Sequence, residues 1–239
     1  MRSLRRGRIE SLEFVAPGLS GIIALWPRAV LTMLSVSHLA CLRGDRRLFS
    51  GVAFTLHAGE RLHVSGENGA GKTSLLRILC GLSSPEEGEI RWQGSPIDEL
   101  GEEYRQSLLY LGHHNALKEE LTALENLRFT AALRGVFINE DESVGLLRRA
   151  GLTGREDLPV RVLSQGQKRR VALARLLWCK APLWVLDEPY VALDAAAVTW
   201  LAGIIGAHVA AGGMVVLTSH QDVDIPGGTA QFLRLAGRA

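Results

Sequence analysis

A short apolar run followed at once by a glycine-rich turn is the feature that most constrains the fold of this chain. The stretch RLHVS, residues 61–65, reads as a buried strand, and GENGAGKT, residues 66–73, fits the pattern G-x-x-x-x-G-K-T in full before a helix-like run. Glycines let the backbone curl so that successive N–H groups point inward, and the start of a helix adds its positive dipole end. This order of elements predicts a site that cradles a chain of phosphates.

The residue types in this loop suit a phosphate ligand. Lys72 would place a positive charge on the β- and γ-phosphates, and Thr73 would offer its hydroxyl to Mg²⁺. A glycine-rich turn without a ligand is the alternative, but the strand before the loop and the helix after it argue against that reading. The predicted nucleotide-binding residues are Gly66, Glu67, Asn68, Gly69, Ala70, Gly71, Lys72, Thr73 and Ser74.

A pair of acidic residues closes the apolar run PLWVLDEP, residues 182–189. A core would not tolerate two carboxylates unless they lay at the carboxyl edge of a parallel sheet and faced a ligand. Asp187 is then predicted to hold Mg²⁺ through its hydration shell, and Glu188 to polarise a water for attack on a γ-phosphate. A helix cap with a salt bridge is the alternative, and the phosphate loop on the same chain disfavours it.

The stretch LSQGQKRRVALAR, residues 163–175, predicts a second anion site. Ser164 is a good N-cap, Gly166 permits close approach of a ligand, and the first N–H groups of a helix are free to bind an anion. One nucleotide needs one phosphate loop, so this second cradle implies a different partner.

The rest of the chain alternates strand-like and helix-like patterns. It is strand-rich from Met33 to about residue 65, GEIRWQG at 88–94 alternates like an edge strand, and SLLYLG at 107–112 is apolar like a buried strand. Residues 116–163 have a helical pattern instead. Strands alternating with helices predict an α/β sheet, and the helical block predicts a lobe inserted into it.

Four helices can be bounded from the sequence, and one of them covers roughly residues 142–150 and ends at Gly151. Thr122 is predicted as an N-cap, with Glu125 at the spacing of a capping box. The run LSQGQKRRVALARLLWCKA, residues 163–181, predicts one long helix, and AAAVTWLAGIIGAHVA, residues 195–210, predicts another.

Composition limits the possible partners. The 27 basic and 25 acidic residues leave a formal charge of +2, which is too balanced to favour nucleic acid or an acidic membrane surface. Three cysteines without C-x-x-C spacing fit a reduced cytoplasmic protein, and no apolar run reaches the length of a membrane span.

Residues 1–32 are predicted to be an appended segment, either flexible or the result of a start codon set too far upstream. The arginines of the RR pairs, Arg148, Arg149, Arg169 and Arg170, are expected on solvated faces.

The order of phosphate loop, LSQGQ, LDEP and TSH resembles the ATP-binding subunit of ABC transporters, over residues 33–235. The resemblance implies a P-loop NTPase core of the α/β class, with a RecA-like mixed sheet, an antiparallel β subdomain and an inserted α-helical subdomain at about 113–165. The domain would span residues 33–239, and its cofactors would be ATP and Mg²⁺.

The same resemblance implies a head-to-tail dimer with a second copy of the chain, in which ATP lies between the phosphate loop of one copy and the signature of the other. Asp194 matches the D-loop residue that contacts the opposite copy, and His220 matches the switch histidine that supports Glu188 beside the γ-phosphate. In LSQGQ, Gln165 replaces the first glycine of the usual LSGGQ. The signature residues acting across the dimer would be Leu163, Ser164, Gln165, Gly166 and Gln167.

Two positions depart from the family pattern. The aromatic residue that usually stacks on adenine is absent before the loop, and Arg43 is expected to stack its guanidinium plane there instead. His114 occupies the place of the Q-loop glutamine, next to His113. The two histidines could also bind a metal, but adjacent strand residues point to opposite sides, and no Cys, Asp or Glu stands at ligand spacing.

A closer match narrows the family. The runs YLGHHNALKEELTALENL and RRVALARLLWCKAPLWVLDEPYVALD are similar to the ATP-binding subunit of cytochrome c biogenesis, often described as a heme exporter ATPase. That similarity implies a peripheral protein on the cytoplasmic face of the bacterial inner membrane, bound to a polytopic permease that serves heme or heme-chaperone handling. Other ABC exporters remain the main alternative. A soluble ABC-type ATPase for DNA or ribosome work usually carries tandem domains or a long coiled coil, and kinases or GTPases have no use for LSQGQ.

Overall fold

The computed structural model describes residues 33–236, and its strands form two sheets. The first sheet is antiparallel, with strand order β2-β1-β4-β5. The run predicted as an edge strand, β4, lies between β1 and β5, so that prediction is wrong, because a two-residue strand extends the sheet beyond it. The strands are β1 (Met33–Arg43), β2 (Arg46–His57), β4 (Glu87–Trp92) and β5 (Ser95–Pro96).

The second sheet is parallel throughout its described strands, with order β6-β7-β8-β3-β9. The predicted buried run SLLYLG forms β6, which has buried leucines although it lies at the edge of the sheet. The antiparallel and parallel pairings therefore occupy separate sheets. The strands are β3 (Glu60–Gly66), β6 (Leu108–Leu111), β7 (Leu183–Leu186), β8 (Met214–Thr218) and β9 (Thr229–Leu235).

Seven α-helices lie in the described residues: α1 (Lys72–Leu79), α2 (Ile97–Leu100), α3 (Glu102–Ser107), α4 (Ala123–Ala132), α5 (Glu140–Arg149), α6 (Gln165–Leu173) and α7 (Ala195–Ala210). The sequence reasoning missed α2 and α3, which are one-turn or two-turn segments too short for a periodic signal. The helix predicted over 163–181 is shorter, because the chain tightens into a 3₁₀ turn at Ala174–Leu177.

The predicted N-cap of α4 is confirmed, while the helix predicted over about 142–150 is α5 and begins two residues earlier, at Glu140. Thr122 Oγ1 accepts a hydrogen bond from the Glu125 backbone at 3.1 Å, and the Glu125 carboxylate accepts one from the Thr122 backbone at 2.8 Å. This capping box satisfies two N–H groups that the helix itself leaves free. The last long helix, α7, spans the predicted residues 195–210.

Three buried clusters hold these elements together. One contains α1 and lies between the two sheets, where Leu75 and Leu76 share it with Leu34 and Leu56. The second covers the opposite face of the parallel sheet with α7. The third belongs to α4, α5 and α6, which form a helical lobe around a core of its own.

Helices on both faces leave the carboxyl ends of the parallel strands open at one edge, where ligands bind in sheets of this kind. The loops after β3, β6, β7 and β8 all begin at that edge. Among residues 33–236, none of the helices combines the length and the hydropathy that a membrane span requires. The proposed extension, residues 1–32, lies outside the described residues.

Candidate nucleotide-binding site

The glycine-rich loop after β3 curls around the side chain of Lys72. Its Nζ donates hydrogen bonds to the carbonyl oxygens of Gly66, at 2.8 Å, and Glu67, at 3.2 Å. Gly66 and Gly71 have φ angles of 147° and 95°, and a Cβ on Gly66 would lie 2.6 Å from the Leu235 carbonyl oxygen. Only glycine fits these two positions, because they combine left-handed backbone with close neighbours. The loop therefore has the curled backbone that the sequence predicts.

The carboxylate of Asp187 joins one helix and two strands at the site. Its Oδ2 accepts a hydrogen bond from Thr73 Oγ1 at 2.8 Å, and its Oδ1 accepts one from Thr218 Oγ1 at 2.8 Å. Its side chain is almost fully buried, with 1% of the residue exposed. A buried carboxylate needs such donors, since an unpaired charge would be costly. The start of α1 and the ends of β7 and β8 thus meet at one carboxylate.

Glu188 and His220 lie side by side, which is the arrangement that the family resemblance implies. Glu188 Oε1 and His220 Nε2 are 3.4 Å apart, and the alignment does not make a hydrogen bond. Glu188 Oε1 is buried and has no hydrogen-bond partner among the described residues. The Glu188 side chain is 14% exposed at the sheet edge, and one of its carboxylate oxygens keeps a free lone pair that could accept a proton.

The signature stretch begins α6 with a second capping box. Ser164 Oγ accepts a hydrogen bond from the Gln167 backbone at 3.2 Å, and Gln167 Oε1 accepts one from the Ser164 backbone at 2.9 Å. The predicted N-cap is confirmed. Leu163 is buried in the core of the helical lobe, while Ser164 and Gln165 are exposed. The polar start of α6 therefore faces outward, where a second molecule could reach it.

Asp194 holds two elements together. Its carboxylate caps α7 by accepting a hydrogen bond from the Ala197 backbone at 2.8 Å, and both its oxygens lie 2.9 Å from Arg170 Nη2. The Ala197 N–H, and then Arg170, hold the pKa of Asp194 below its ordinary value. Asp194 remains largely exposed, so it links α6 to α7 at the surface.

The expected solvated positions of Arg169 and Arg170 are wrong. Arg169 is 4% exposed, and its guanidinium donates hydrogen bonds to backbone carbonyls after β6 and β7. Arg170 is largely covered and pairs with Asp194. Helical spacing placed both residues on the outside, but the loops after the strands fold over this face of α6. By contrast, Arg148 is exposed as expected.

His113 and His114 are exposed at the carboxyl end of β6. Their rings meet edge to face, with centroids 5.6 Å apart. They line an open cleft of about 220 Å³ together with Gln165, Arg169 and Ala192. Within residues 33–236, no three His, Cys, Asp or Glu side chains gather as a metal-ligand set.

Arg43 ends β1 and is exposed. It pairs with Arg46 in the β1–β2 hairpin, and Leu48 and Phe49 of the same hairpin lie 3.0 Å from where a Cβ of Gly71 would be. The hairpin therefore packs against the phosphate loop, which puts Arg43 on an element next to that loop.

Comparison with known proteins decides the family. The profile described as "ABC transporter" matches residues 49–191, more than half of the chain. The cytochrome c biogenesis ATP-binding export protein CcmA of Dechloromonas aromatica is 59% identical over 203 residues, which are 85% of this chain and 100% of that protein. The protein of the same name from Nitrosospira multiformis is 55% identical, over 82% of this chain and 96% of that protein.

The chain belongs to the ABC transporter family. The resemblance found from the motifs is confirmed, and the protein is an ABC ATPase that binds a nucleotide.

Solved structures confirm the ABC fold. A structure described as the ATP binding subunit of an ABC transporter is 31% identical, with a TM-score of 0.71, and the match covers 79% of this chain and 80% of that one. A dimeric bacterial ABC transporter cassette, MJ0796, is 24% identical, with a TM-score of 0.73 over 86% of this chain and 97% of that one. The α/β core, the antiparallel sheet and the helical lobe of this ABC ATPase are thus those of the family.

Two residues of this ABC site were missed by sequence reasoning. Thr218 is fully buried between Asp187 and the Glu188 backbone, and Arg169 is buried behind the same segment. Thr218 could have been found from the run VLTSH. A polar residue that ends a buried apolar strand at the ligand-binding edge of a sheet needs a hydrogen-bond partner. Arg169 gave none, because its burial depends on loops distant in sequence.

Proposed function

We propose that this ABC ATPase hydrolyses ATP as one half of a dimer attached to a membrane permease, and that the complex serves heme handling in c-type cytochrome biogenesis. The observation that carries the catalytic part is the convergence of Thr73, Asp187, Glu188 and His220 at the carboxyl edge of the parallel sheet. The proposed domain is residues 33–239, with its helical subdomain at about 113–165.

The phosphate loop would bind the nucleotide through residues 66–74. Lys72 Nζ is held by two carbonyl oxygens at the centre of the curl, so its charge lies where a phosphate chain would pass. The N-terminus of α1 points at the same place and adds its positive dipole end. Arg43, on the hairpin that packs against the loop, would stack on the adenine.

The donor set between α1 and β7 fits Mg²⁺. A threonine hydroxyl and a carboxylate, Thr73 Oγ1 and Asp187 Oδ2, lie 2.8 Å apart, and hard oxygen ligands are what this ion prefers. Thr73 would bind the ion directly, and Asp187 would hold it through its hydration shell. When bound, Mg²⁺ would neutralise charge that develops on the phosphates.

Glu188 would act as the general base. Its carboxylate is partly exposed and has an oxygen without a hydrogen-bond partner, so it would accept a proton from the attacking water. His220, 3.4 Å away and more exposed, would steady the carboxylate and reach the γ-phosphate. Thr218 would keep the Glu188 backbone in place through its hydroxyl.

A second copy would complete each site. The relatives of known structure include a dimeric cassette, and here the exposed start of α6 offers Ser164 and Gly166 to a nucleotide on the partner copy. The signature would act through Leu163, Ser164, Gln165, Gly166 and Gln167, and Asp194 would contact the opposite copy.

The permease would dock near His114, in the cleft at the end of β6. The relatives are named for cytochrome c biogenesis and for export, which supports that process as the one that ATP drives here. The proposed place of this ATPase is the cytoplasmic face of the bacterial inner membrane, where the complex would handle heme. A polytopic membrane subunit is the partner that such a peripheral ATPase needs.

The catalytic proposal is tested with the Glu188→Gln variant. We expect hydrolysis by the purified protein to fall by about 10² or more, because the amide cannot accept the proton, while ATP binding persists and an ATP-held dimer accumulates. Glu99→Gln, an exposed glutamate in α2, is the matched control. Turnover that is unchanged in Glu188→Gln would contradict the assignment of the base.

The cellular proposal is tested by complementation of a strain that lacks the gene. The wild-type chain should restore covalently attached heme in c-type cytochromes, measured by heme staining of membrane proteins, and Lys72→Ala should not. If the deleted strain makes normal c-type cytochromes while the purified protein hydrolyses ATP, we would conclude that the ATPase serves another exporter.

A further inference from the structure

Arg169 makes an unusually dense set of contacts for a residue outside the phosphate loop. It is 4% exposed, and its guanidinium donates to three backbone carbonyls that follow β7: Asp187 at 3.0 Å, Glu188 at 2.8 Å and Pro189 at 3.3 Å. Nη1 also donates at 3.1 Å to the Gly112 carbonyl, which follows β6, and at 3.1 Å to Asn115 Oδ1. One buried side chain on α6 thus holds the ends of two strands.

The backbone that Arg169 holds needs an external support. Glu188 has a φ of 48°, a left-handed conformation that non-glycine residues seldom adopt and that costs conformational energy. The three carbonyls around this position turn inward, and a cation with several donors in a fixed plane is suited to bind them together. Burial lowers the pKa of Arg169 from its ordinary value, while Asp187 and Glu188 oppose that shift.

Two further contacts join the start of α6 to the segment after β7. A Cβ on Gly166 would lie 2.8 Å from the Ala192 carbonyl oxygen, so the two backbones touch, and Arg170 binds Asp194 through both carboxylate oxygens. The start of α6 and residues 187–194 therefore form one packed unit, with Arg169 at its buried centre.

We infer that Arg169 is a positioning residue. It sets the orientation of Glu188, and it shifts Glu188 when the signature residues at the start of α6 bind a nucleotide. The inference rests on the proposed dimer. There, the start of α6 touches the nucleotide in one site, while Glu188 of the same chain serves the other site. When α6 moves, the hydrogen bonds of the Arg169 guanidinium shift the Glu188 backbone. Binding in one ATP site therefore changes hydrolysis in the other.

The test compares Arg169→Lys with Arg155→Lys, an exposed arginine of the helical lobe. Lysine keeps the charge but cannot bind this many carbonyls in a fixed plane. We measure the rate of ATP hydrolysis against ATP concentration, the affinity for a non-hydrolysable ATP analogue, and the thermal melting temperature. Because small errors of position cost up to about 10²-fold in rate, we expect kcat to fall at least about tenfold in Arg169→Lys, with KM and analogue affinity within about twofold.

Coupling makes a second prediction for the same titration. The Hill coefficient should exceed 1 in the wild type and in Arg155→Lys, and it should approach 1 in Arg169→Lys. Asn115→Ala removes one acceptor in a partly exposed loop and should act in the same direction with a smaller effect, which keeps the test available if Arg169→Lys does not fold.

The outcomes separate this inference from the proposed function. A wild-type chain that does not hydrolyse ATP would overturn both. Wild-type hydrolysis with a Hill coefficient of 1, or an Arg169→Lys variant with unchanged kcat and Hill coefficient, would overturn the inference alone. The same holds if kcat, analogue affinity and melting temperature all fall together, because that pattern indicates a purely structural residue.

Discussion

Thr218 donates its hydroxyl hydrogen to Asp187 Oδ1 across 2.8 Å, and both side chains are shielded from solvent. The same hydroxyl oxygen accepts a hydrogen bond from the Glu188 backbone at 2.9 Å. One buried threonine at the end of β8 therefore orients the proposed magnesium ligand and the proposed base together.

Replacing this threonine should damage both stability and turnover. Thr218→Val removes the hydroxyl at similar size and leaves a buried acceptor and a buried donor without partners, which costs about 1–3 kcal/mol of unfolding free energy. We expect kcat to fall about tenfold to a hundredfold, since the orientation of Asp187 and Glu188 is lost. Chemical denaturation and steady-state hydrolysis measure the two effects, and Thr218→Ser, which restores the hydroxyl, should recover most of both.

Asp194 offers a way to separate a structural role from a dimer contact. Asp194→Asn keeps the cap on α7, because asparagine caps as well as aspartate, and it weakens an ion pair whose carboxylate is largely exposed, so unfolding free energy should change by less than about 1 kcal/mol. In the Glu188→Gln background, the ATP-held dimer should form only at higher ATP concentration. Size-exclusion chromatography against ATP concentration measures this, and an unchanged midpoint would contradict the contact with the second copy.

His114 stands at the Q-loop position, where the family has glutamine. A glutamine amide, like an imidazole, can both donate and accept a hydrogen bond. His114→Gln is therefore expected to retain ATP hydrolysis within about twofold, measured as the steady-state rate at saturating ATP. His113→Gln is the neighbouring control. A steep dependence on added zinc in the wild type that His114→Gln abolishes would instead support the metal interpretation.

His208 should make the free energy of unfolding decrease in acid. Its ring stacks on Trp184, with centroids 3.7 Å apart, and burial lowers its pKa from 6.5 to about 4. The unfolded chain then binds the proton more tightly than the folded chain, so stability falls as pH falls from about 6.5 to about 4. Between pH 7 and 4.5 this group should remove about 2–3 kcal/mol of unfolding free energy.

The control for that prediction keeps the stack and removes the titration. His208→Phe should lose this part of the pH dependence, measured by urea unfolding at several pH values, while His57→Gln, at an exposed histidine, should not. An identical pH dependence in the wild type and in His208→Phe would show that the buried imidazole does not titrate on unfolding.

Local chemistry was readable from the sequence because it depends on neighbours along the chain. The glycines of the phosphate loop, the N-cap Ser164 and the capping box at Thr122 need only a few consecutive residues to act. The fold class also followed, since alternating strands and helices have few compact arrangements. Edge and interior strands could not be separated in this way, because a two-residue strand placed β4 inside its sheet.

Long-range burial was decided by the tertiary structure alone. Helical periodicity put Arg169 on a solvated face, yet the loops after β6 and β7 cover it and give it five acceptors within 3.3 Å. Thr218 likewise met Asp187 only because β7 and β8 are adjacent. The sequence determined which groups could cradle a phosphate, through local backbone conformation; the packing of distant segments decided which other groups orient them, because burial and hydrogen-bond partners depend on neighbours that are remote along the chain.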